Sequence, residues 1–308
     1  MTMIKTLEEF SVLAQERGPK KLAVLAPEDE EFMRAVKSSW DLGYIEPVLV
    51  GDTRKMEEVA EKVAFNIDRF HKIPQTGQQA ISNLGINMLF SGELPIASKG
   101  QIPTSYIYRS IIREEAKAGS GMTVSVISFW DIPGMDHLVA FTDTGVNIKP
   151  GVKAKAEVIK NAVFVYHLMG YPRPKIAVLS GQREVGGTLD SYKDYEILIR
   201  SAAAGDFGEC EIVPATSFTD IFLGEKTCMD GGADIQGDEV PHILVVPCLD
   251  TGNILCKLDF FLDVTRSSLV ATSRGPVCIP ARSDFSGNIV QQLAMCVVLA
   301  DEMEKREQ

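Results

Sequence analysis

The residues able to do chemistry gather in short polar loops that follow apolar runs of strand length. In Cys278-Ile-Pro-Ala-Arg-Ser-Asp-Phe-Ser-Gly287, Arg282, Ser283 and Asp284 set a cation, a hydroxyl and a carboxylate side by side. An arginine placed so can hold an anion through paired hydrogen bonds, and a carboxylate can take a proton. The same residues also read as a helix N-cap, Ser283 or Asp284, with the arginine paired to the aspartate. In Val246-Pro-Cys-Leu-Asp-Thr-Gly-Asn-Ile-Leu-Cys-Lys257, a turn holding Asp250, Thr251 and Gly252 leads into a helix at Asn253, whose bare N–H groups could hold an anion. Phe141-Thr-Asp-Thr-Gly-Val-Asn-Ile-Lys-Pro150 offers Asp143 and Asn147 at a strand end, with a glycine that permits close backbone approach; it reads equally as a capped turn between domains. The loop Ser180 to Gly187 carries one cation and lacks the Gly-Lys-Ser/Thr end of a P-loop.

Alternating elements must position these loops. Thr6 to Arg17 has helical spacing, Lys21 to Ala26 is a strand, Glu28 to Leu42 a helix and Glu46 to Val50 a strand, which makes a βαβ unit and a parallel sheet. The pattern predicts helices over 54–63, 76–84 and 104–117, with strands near 64–67 and 87–90 between them. Strands at 124–129 and 138–142 follow, then a long helix over 152–169, a strand at 175–179 and a helix at 190–203. A strand near 210–213, a helix near 217–224, a strand at 242–246, a helix at 252–262, strands at 268–272 and 276–279 and a closing helix over 285–305 complete the chain. This is an α/β architecture with both sheet faces covered, and ligands of such sheets bind beyond the carboxyl ends of the strands.

Composition narrows the function classes. A chain of 308 residues is expected to fold as two lobes. Its 31 Lys and Arg against 42 Asp and Glu leave a net charge of −11, which argues against a broad nucleic-acid surface but not against a small anion. No run approaches 18 apolar residues and no basic, then apolar, leader opens the sequence, so neither a membrane span nor a signal peptide is expected. The six cysteines form no C-x-x-C pair and read as reduced, mostly buried thiols; the four histidines are scattered. A zinc site or a Ser-His-Asp triad is poorly supplied with parts.

The loops together resemble the phosphate acetyl/butyryltransferase family. Thr-Asp-Thr-Gly-Val-Asn-Ile-Lys-Pro150 is similar to its T-D-x-x-x-N-x-x-P, followed by Val158-Ile-Lys-Asn-Ala-Val on the next helix. Asp250-Thr-Gly-Asn-Ile-Leu-Cys-Lys257 is similar to E-x-G-N-x-x-Y-K, and Lys21-Leu-Ala-Val-Leu-Ala-Pro-Glu-Asp-Glu-Glu to the family's opening strand and acidic loop. The matches keep their order over about residues 20–305, and the butyryl branch is the closer likeness. The resemblance implies two parallel-sheet α/β/α lobes, 1–142 with 281–308 and 143–280, and a ligand cleft between them. It implies transfer of a butyryl or acetyl group between coenzyme A and phosphate, with no metal and no cofactor other than coenzyme A as substrate. A cytoplasmic homodimer is implied as well, with Arg282 and Asp284 catalytic and Asp143, Asn147, Thr251, Gly252, Asn253 and Ser283 lining the substrate site.

The family's Ser-Arg signature is altered here. Arg282 and Asp284 fit, but the serine position is Ala281. A second Ser-Arg pair, Ser273-Arg274, lies earlier and is counted with the substrate-binding positions. Basic residues of the family are replaced at Gly119 to Val124, and a lysine before a glycine is sought where the chain reads Ser91-Gly92. The family's D-G-P segment reads Pro214-Ala-Thr-Ser. Two alternatives stay open on these losses: a diverged, weakly active or inactive relative that binds a CoA-like or phosphorylated ligand as a subunit or regulator, and a different enzyme on the same scaffold.

Overall fold

Lys20-Lys-Leu-Ala-Val-Leu25 forms β1, and its last four side chains are wholly buried, as a strand covered on both faces requires. The computed structural model describes residues 2–182, 188–223 and 240–307. Helix α1 (Leu7–Arg17) precedes β1, and α2 (Glu30–Asp41) follows it; Asp29 caps α2 by accepting a hydrogen bond from the Phe32 amide at 3.0 Å. Next come β2 (Ile45–Gly51), α3 (Thr53–Lys62), β3 (Lys72–Pro74), α4 (Gln78–Phe90), β4 (Ile96–Lys99) and α5 (Thr104–Ala118). Strand β1 lies between β2 and β4, β2 also pairs with β3, and all of these pairings are parallel.

The unit of Ser125–Arg266 contributes five strands to the sheet, β5 (Val126–Asp131), β6 (Val139–Thr142), β7 (Lys175–Val178), β8 (Glu211–Ile212) and β9 (Ile243–Val245). These strands run in the order β5-β6-β9-β7-β8, antiparallel between β5 and β6 and parallel between the others. Helices α6 (Val152–Leu168), α7 (Asp190–Ala203) and α8 (Phe218–Leu223) fall between these strands in the chain, and α9 (Leu249–Leu255) follows β9. The start of the chain belongs to the same unit. Ile4 is 2% exposed, its amide donates to the Met169 carbonyl, and the Tyr171 hydroxyl donates to its carbonyl at 2.9 Å.

Strand β10 (Thr265–Ala271) turns back antiparallel into β11 (Pro276–Cys278), which pairs parallel with β4. Helix α10 (Ser286–Glu307) closes the chain against α1 and α2, and Leu293 to Ala300 are all buried. Two units result, one of the residues up to Thr6 with Ser125–Arg266, the other of Leu7–Val124 with Ser267 onward. Among the described residues no helix is long and apolar enough to cross a membrane.

Several expectations shift. The unit boundaries fall at Val124/Ser125 and Arg266/Ser267 instead of Thr142/Asp143 and Pro280/Ala281. The cause is strand pairing: β5 and β6 form a hairpin whose second strand joins β9, and β10 with β11 joins β4. No strand forms at 64–67; Phe65 instead packs against Trp40 and Phe70, with ring centroids 5.8 and 5.4 Å apart, and the strand comes later as β3. The segment 87–90 is the end of α4, and the next strand is β4. Gly85 lies inside this helix. It marks a contact with Leu25, where an added Cβ would lie 2.1 Å from a methyl carbon, and not a stop. The helix expected at 252–262 is α9, followed by a 3-10 turn at Leu258–Phe260. Four of the cysteines, Cys210, Cys256, Cys278 and Cys296, are buried and Cys248 is half-buried, while Cys228 lies outside the described residues.

Two packing features have measurable consequences. A Cβ on Gly275 would meet the Pro95 carbonyl oxygen at 2.3 Å, a backbone atom that cannot step aside. Gly275→Ala is expected to destabilise the protein by about 1–3 kcal/mol, seen as a lower urea midpoint by circular dichroism. His242 sits in a half-buried ring cluster 4.5 Å from His137, and its Nδ1 accepts the Lys175 amide at 2.9 Å, so the ring must be neutral. Burial, with the charges of His137 and Lys175, pushes its pKa down to about 3. The unfolded ring titrates near 6.5, so the unfolded state gains the proton first, and stability is lost as pH falls from there towards 3. The acid limb of stability against pH is expected to be shallower in His242→Gln, by at most about 1.4 kcal/mol per pH unit. An unchanged slope would exclude the neutral buried ring.

Candidate functional site

The carboxyl ends of β1, β4 and β11 open on a cleft of about 510 Å³ in the unit of Leu7–Val124. Lys99, Gly100, Ala281, Arg282 and Asp284 line it. Lys99 is the last residue of β4, beside the end of β11, where Cys278 lies opposite Ser98. It is only 7% exposed. Its position is set by its neighbour: the Gly100 amide donates to the Leu25 carbonyl at 2.7 Å, and a Cβ on Gly100 would meet the Ala26 carbonyl oxygen at 2.3 Å. Burial pulls the pKa of the Lys99 ammonium below the ordinary lysine range; Cys278 and Asp284 oppose the shift, and Arg282 adds to it.

The loop after β11 is held by its aspartate. Asp284 Oδ2 accepts the Ala281 amide at 2.9 Å and the Gln292 side-chain amide at 2.7 Å, which ties the loop to α10. The N-cap reading of this loop does not describe it. Helix α10 starts at Ser286, whose amide is taken by Glu31 at 2.9 Å, and no Arg282–Asp284 ion pair forms among the described residues. Arg282 and Ser283 are exposed beside Ala281.

Ser273 and Arg274 are not part of this group. They sit in the turn between β10 and β11, at the opposite end of β11 from Arg282. Glu115 accepts the Ser273 amide at 2.7 Å and its hydroxyl at 2.8 Å, and also binds Ser120. The Thr272 hydroxyl donates to the Gly275 carbonyl at 2.6 Å and closes the turn. This second Ser-Arg pair is a turn fastened to α5.

The remaining predicted residues belong to the other unit. Asp143 accepts hydrogen bonds from the amides of Val126, Gly145, Val146 and Asn147 and from the Asn147 side chain, at 2.6 to 3.2 Å. Its carboxylate organises the loop instead of standing open to a substrate. Gly252 packs on that loop, where a Cβ would lie 2.9 Å from the Asp143 carbonyl oxygen, and the Leu249 amide donates to the Ile148 carbonyl. Thr251 is half-buried with its Oγ1 3.4 Å from Cys248 Sγ; hydrogen bonding to Thr251 holds that thiol below its usual range. Asn253 is exposed. A cleft of about 580 Å³ here is lined by Lys149, Lys155, Cys248 and Asp250, with Lys155 paired to Asp194 at 2.6 Å. The loop from Ser180 keeps its start, where Thr216 donates to the Gln182 carbonyl at 2.7 Å; residues 183–187 lie outside the described residues.

Lys99 and Lys155 were not singled out from the sequence. The signal for Lys99 was a charged residue ending an apolar run before a glycine, Ile96-Ala-Ser-Lys-Gly100, hidden because the strand was sought at 87–90. Among the described residues no group of three His, Cys, Asp or Glu could hold a metal ion.

Residues 81–194 match the family model described as Phosphate acetyl/butaryl transferase. The chain is 24% identical to a phosphate butyryltransferase of Clostridium acetobutylicum, over 97% of its own length and 99% of that protein. It is 26% identical to a phosphate acetyltransferase of Thermotoga maritima, over 96% of its length and 99% of that protein. A crystal structure of a phosphotransacetylase from Streptococcus pyogenes shares its fold, with a TM-score of 0.76 at 16% identity, over 96% of this chain and 99% of that one. The chain is thus similar in sequence to phosphate butyryl- and acetyltransferases and in fold to a phosphotransacetylase, the likeness its loops carry.

Proposed function

We propose that the protein is a phosphate acyltransferase that moves a short acyl group, butyryl or acetyl, between coenzyme A and inorganic phosphate. The observation that carries the reading is one cleft with Arg282 at its rim and Lys99 in its wall, cations fit for phosphate, on a chain alignable end to end with transferases of that name. In the direction of acyl phosphate synthesis, a phosphate oxygen attacks the thioester carbonyl carbon, the C–S bond breaks, and the thiolate leaves and takes up a proton. In reverse, the thiol of coenzyme A gives up its proton, the thiolate attacks the carbonyl carbon of the acyl phosphate, and the C–O bond to phosphate breaks. Arg282 holds phosphate oxygens through its planar donors. Asp284 orients the loop that presents Arg282, through the bonds to Ala281 and Gln292. The hydroxyl expected at position 281 is replaced by the charge of the flanking cations, since charge stabilisation at the transition state is the larger share of such catalysis.

Coenzyme A enters as substrate, and the reaction as read here uses neither metal nor further cofactor. The protein works as a cytoplasmic homodimer in this reading. The loop at Asp143 to Pro150 and its neighbour at Thr251 to Asn253 form a rigid platform for the acyl-CoA, with Asp143 as the internal fastener and Asn147, Thr251 and Asn253 nearer the substrate. The reading as a binding subunit without turnover is not favoured, because the likeness extends over nearly the whole of each transferase.

Release of free thiol from butyryl-CoA or acetyl-CoA, followed with a disulfide dye, tests the activity. Release is expected to depend on phosphate, and Arg282→Ala is expected to slow it by about a hundred- to a thousandfold. Absence of phosphate-dependent release in the unaltered protein would sink the proposal, and full activity in the variant would remove Arg282 from the site.

A further inference from the structure

Gln292 is a polar side chain near the start of α10, just ahead of the buried run Leu293 to Ala300, and it is itself 0% exposed. An amide taken out of water is costly unless both of its ends are bonded. Both are: Nε2 donates to Asp284 Oδ2 at 2.7 Å, and Oε1 accepts from the Cys278 thiol at 3.8 Å. The partners settle which way the amide points, since a carboxylate accepts and does not donate, and so faces the N–H end. Cys278, wholly buried on β11, is left to the oxygen. A thiol is a weak donor and a carboxylate a strong acceptor, so the strength of this link lies on the side of the loop. Packing alone does not call for the amide, because a leucine or methionine of similar volume would fill the space with no polar group to satisfy.

The far end of the link is a closed turn. The Asp284 amide donates to the Ala281 carbonyl at 3.1 Å and Asp284 Oδ2 accepts the Ala281 amide at 2.9 Å, so the residues on either side of Arg282 and Ser283 are bonded to each other twice. Arg282 rides on this ring of backbone, exposed at the rim of the cleft. Such a ring is stiff within itself but can swing as a whole against the body of the protein. Gln292 meets the same oxygen that closes the ring, so one atom both shuts the turn and joins it to α10. Gln292 does not line the cleft, and being wholly buried it acts on a ligand through the loop.

We propose that Gln292 is a positioning residue for the acyl transfer, fixing through Asp284 Oδ2 the direction in which the turn 281–284 presents Arg282 to phosphate. The inference rests on the acyltransferase reading for the reaction, while the hold on the turn does not require turnover. A guanidinium that clamps two oxygens side by side must meet them in its own plane, so a small swing of its turn weakens the clamp and leaves the rest of the cleft as it was. Loss of the bond from Gln292 therefore acts on phosphate more than on the acyl-CoA.

Thiol release is measured against phosphate and against butyryl-CoA for the unaltered protein, Gln292→Leu, Gln292→Glu and Gln291→Leu, with the fold followed by circular dichroism. In Gln292→Leu the KM for phosphate is expected to rise roughly 10- to 100-fold, with the KM for butyryl-CoA changed less than about twofold. Gln291→Leu makes the same exchange at a half-buried neighbour and is expected to change neither. Gln292→Glu sets a second carboxyl against Asp284; the pair shares a proton in acid and repels once both are ionised. Its phosphate KM is expected to stay near the unaltered value at low pH and to climb as pH rises through the titration of the pair, a limb the unaltered protein lacks. An unchanged phosphate KM in Gln292→Leu, a loss shared equally by both substrates, or a flat profile in Gln292→Glu would overturn the proposal. Should Gln292→Leu fail to fold, the profile of Gln292→Glu decides alone. Hydrogen exchange supplies a readout without turnover: the Ala281 amide is expected to exchange faster in Gln292→Glu at high pH than in Gln291→Leu, and those of β1 alike in both. If the unaltered protein releases no thiol, the acyltransferase reading falls, and equal exchange at Ala281 in the two variants would then remove Gln292 from the turn as well.

Discussion

The close approach of two strand ends sets the rest of the cleft. Just past the ends of β1 and β4, at Ala26 and Gly100, the backbones lie so near that no side chain fits between them. Two amides of the β4 end, those of Gly100 and Gln101, are satisfied by the Leu25 and Ala26 carbonyls at 2.7 and 2.9 Å, so the contact is bonded as well as tight. That fixes Lys99 one residue earlier, at the rim of the sheet, and leaves α2 and α5 to begin on either side. Strand β11 then brings the Arg282 loop alongside, because Val277 and Cys278 are in register with Ala97 and Ser98. A glycine and a parallel register thus assemble residues far apart in the chain without any direct bond between their side chains.

Electrostatics in this cleft is a matter of which charges are spent. The protein is acidic, with a net charge of −11, and carboxylates outnumber cations even around the cleft. The three carboxylates discussed there are consumed by backbone or amide donors, which hold the loops and helix starts in place. The same logic runs through the other unit, where Asp143 takes the donors of a whole turn and Lys155 is matched by Asp194. Polar groups that look alike in the sequence divide into fasteners and contacts only when their partners are counted.

Much of the fold was legible from periodicity. Helix α7 runs over 190–203 as its spacing predicts, and α5 and α6 differ by one residue at their ends. The misses have local causes. Gly85 reads as a helix stop in the chain but is a point of contact with Leu25, so α4 was cut short and β4 misplaced. Phe65 and Ile67 alternate as strand residues would, but Phe65 is buried by packing on Trp40 and Phe70. For the site, the loop of Arg282 and Asp284 was identified because a cation and an acid follow a strand. Lys99 escaped because its strand had been drawn too early. That Asp143 faces inward and Ser273 is held by Glu115 could not be read from residue types, since nothing in a linear chain says which partner a carboxylate finds.

The placement of Ile4 bears on the order in which the molecule can be made. Its carbonyl is held by the hydroxyl of Tyr171, 167 positions later in the chain, and its amide by Met169. A ribosome adding ~5–20 residues per second needs roughly 8 to 33 seconds to bridge that interval. All through it the residues of Leu7–Val124 emerge and begin to organise, while the apolar segment ahead of them has nowhere to dock. Ile4 thus reaches its native contacts only after Tyr171 has been made, and a nascent chain must keep it harmless for that time.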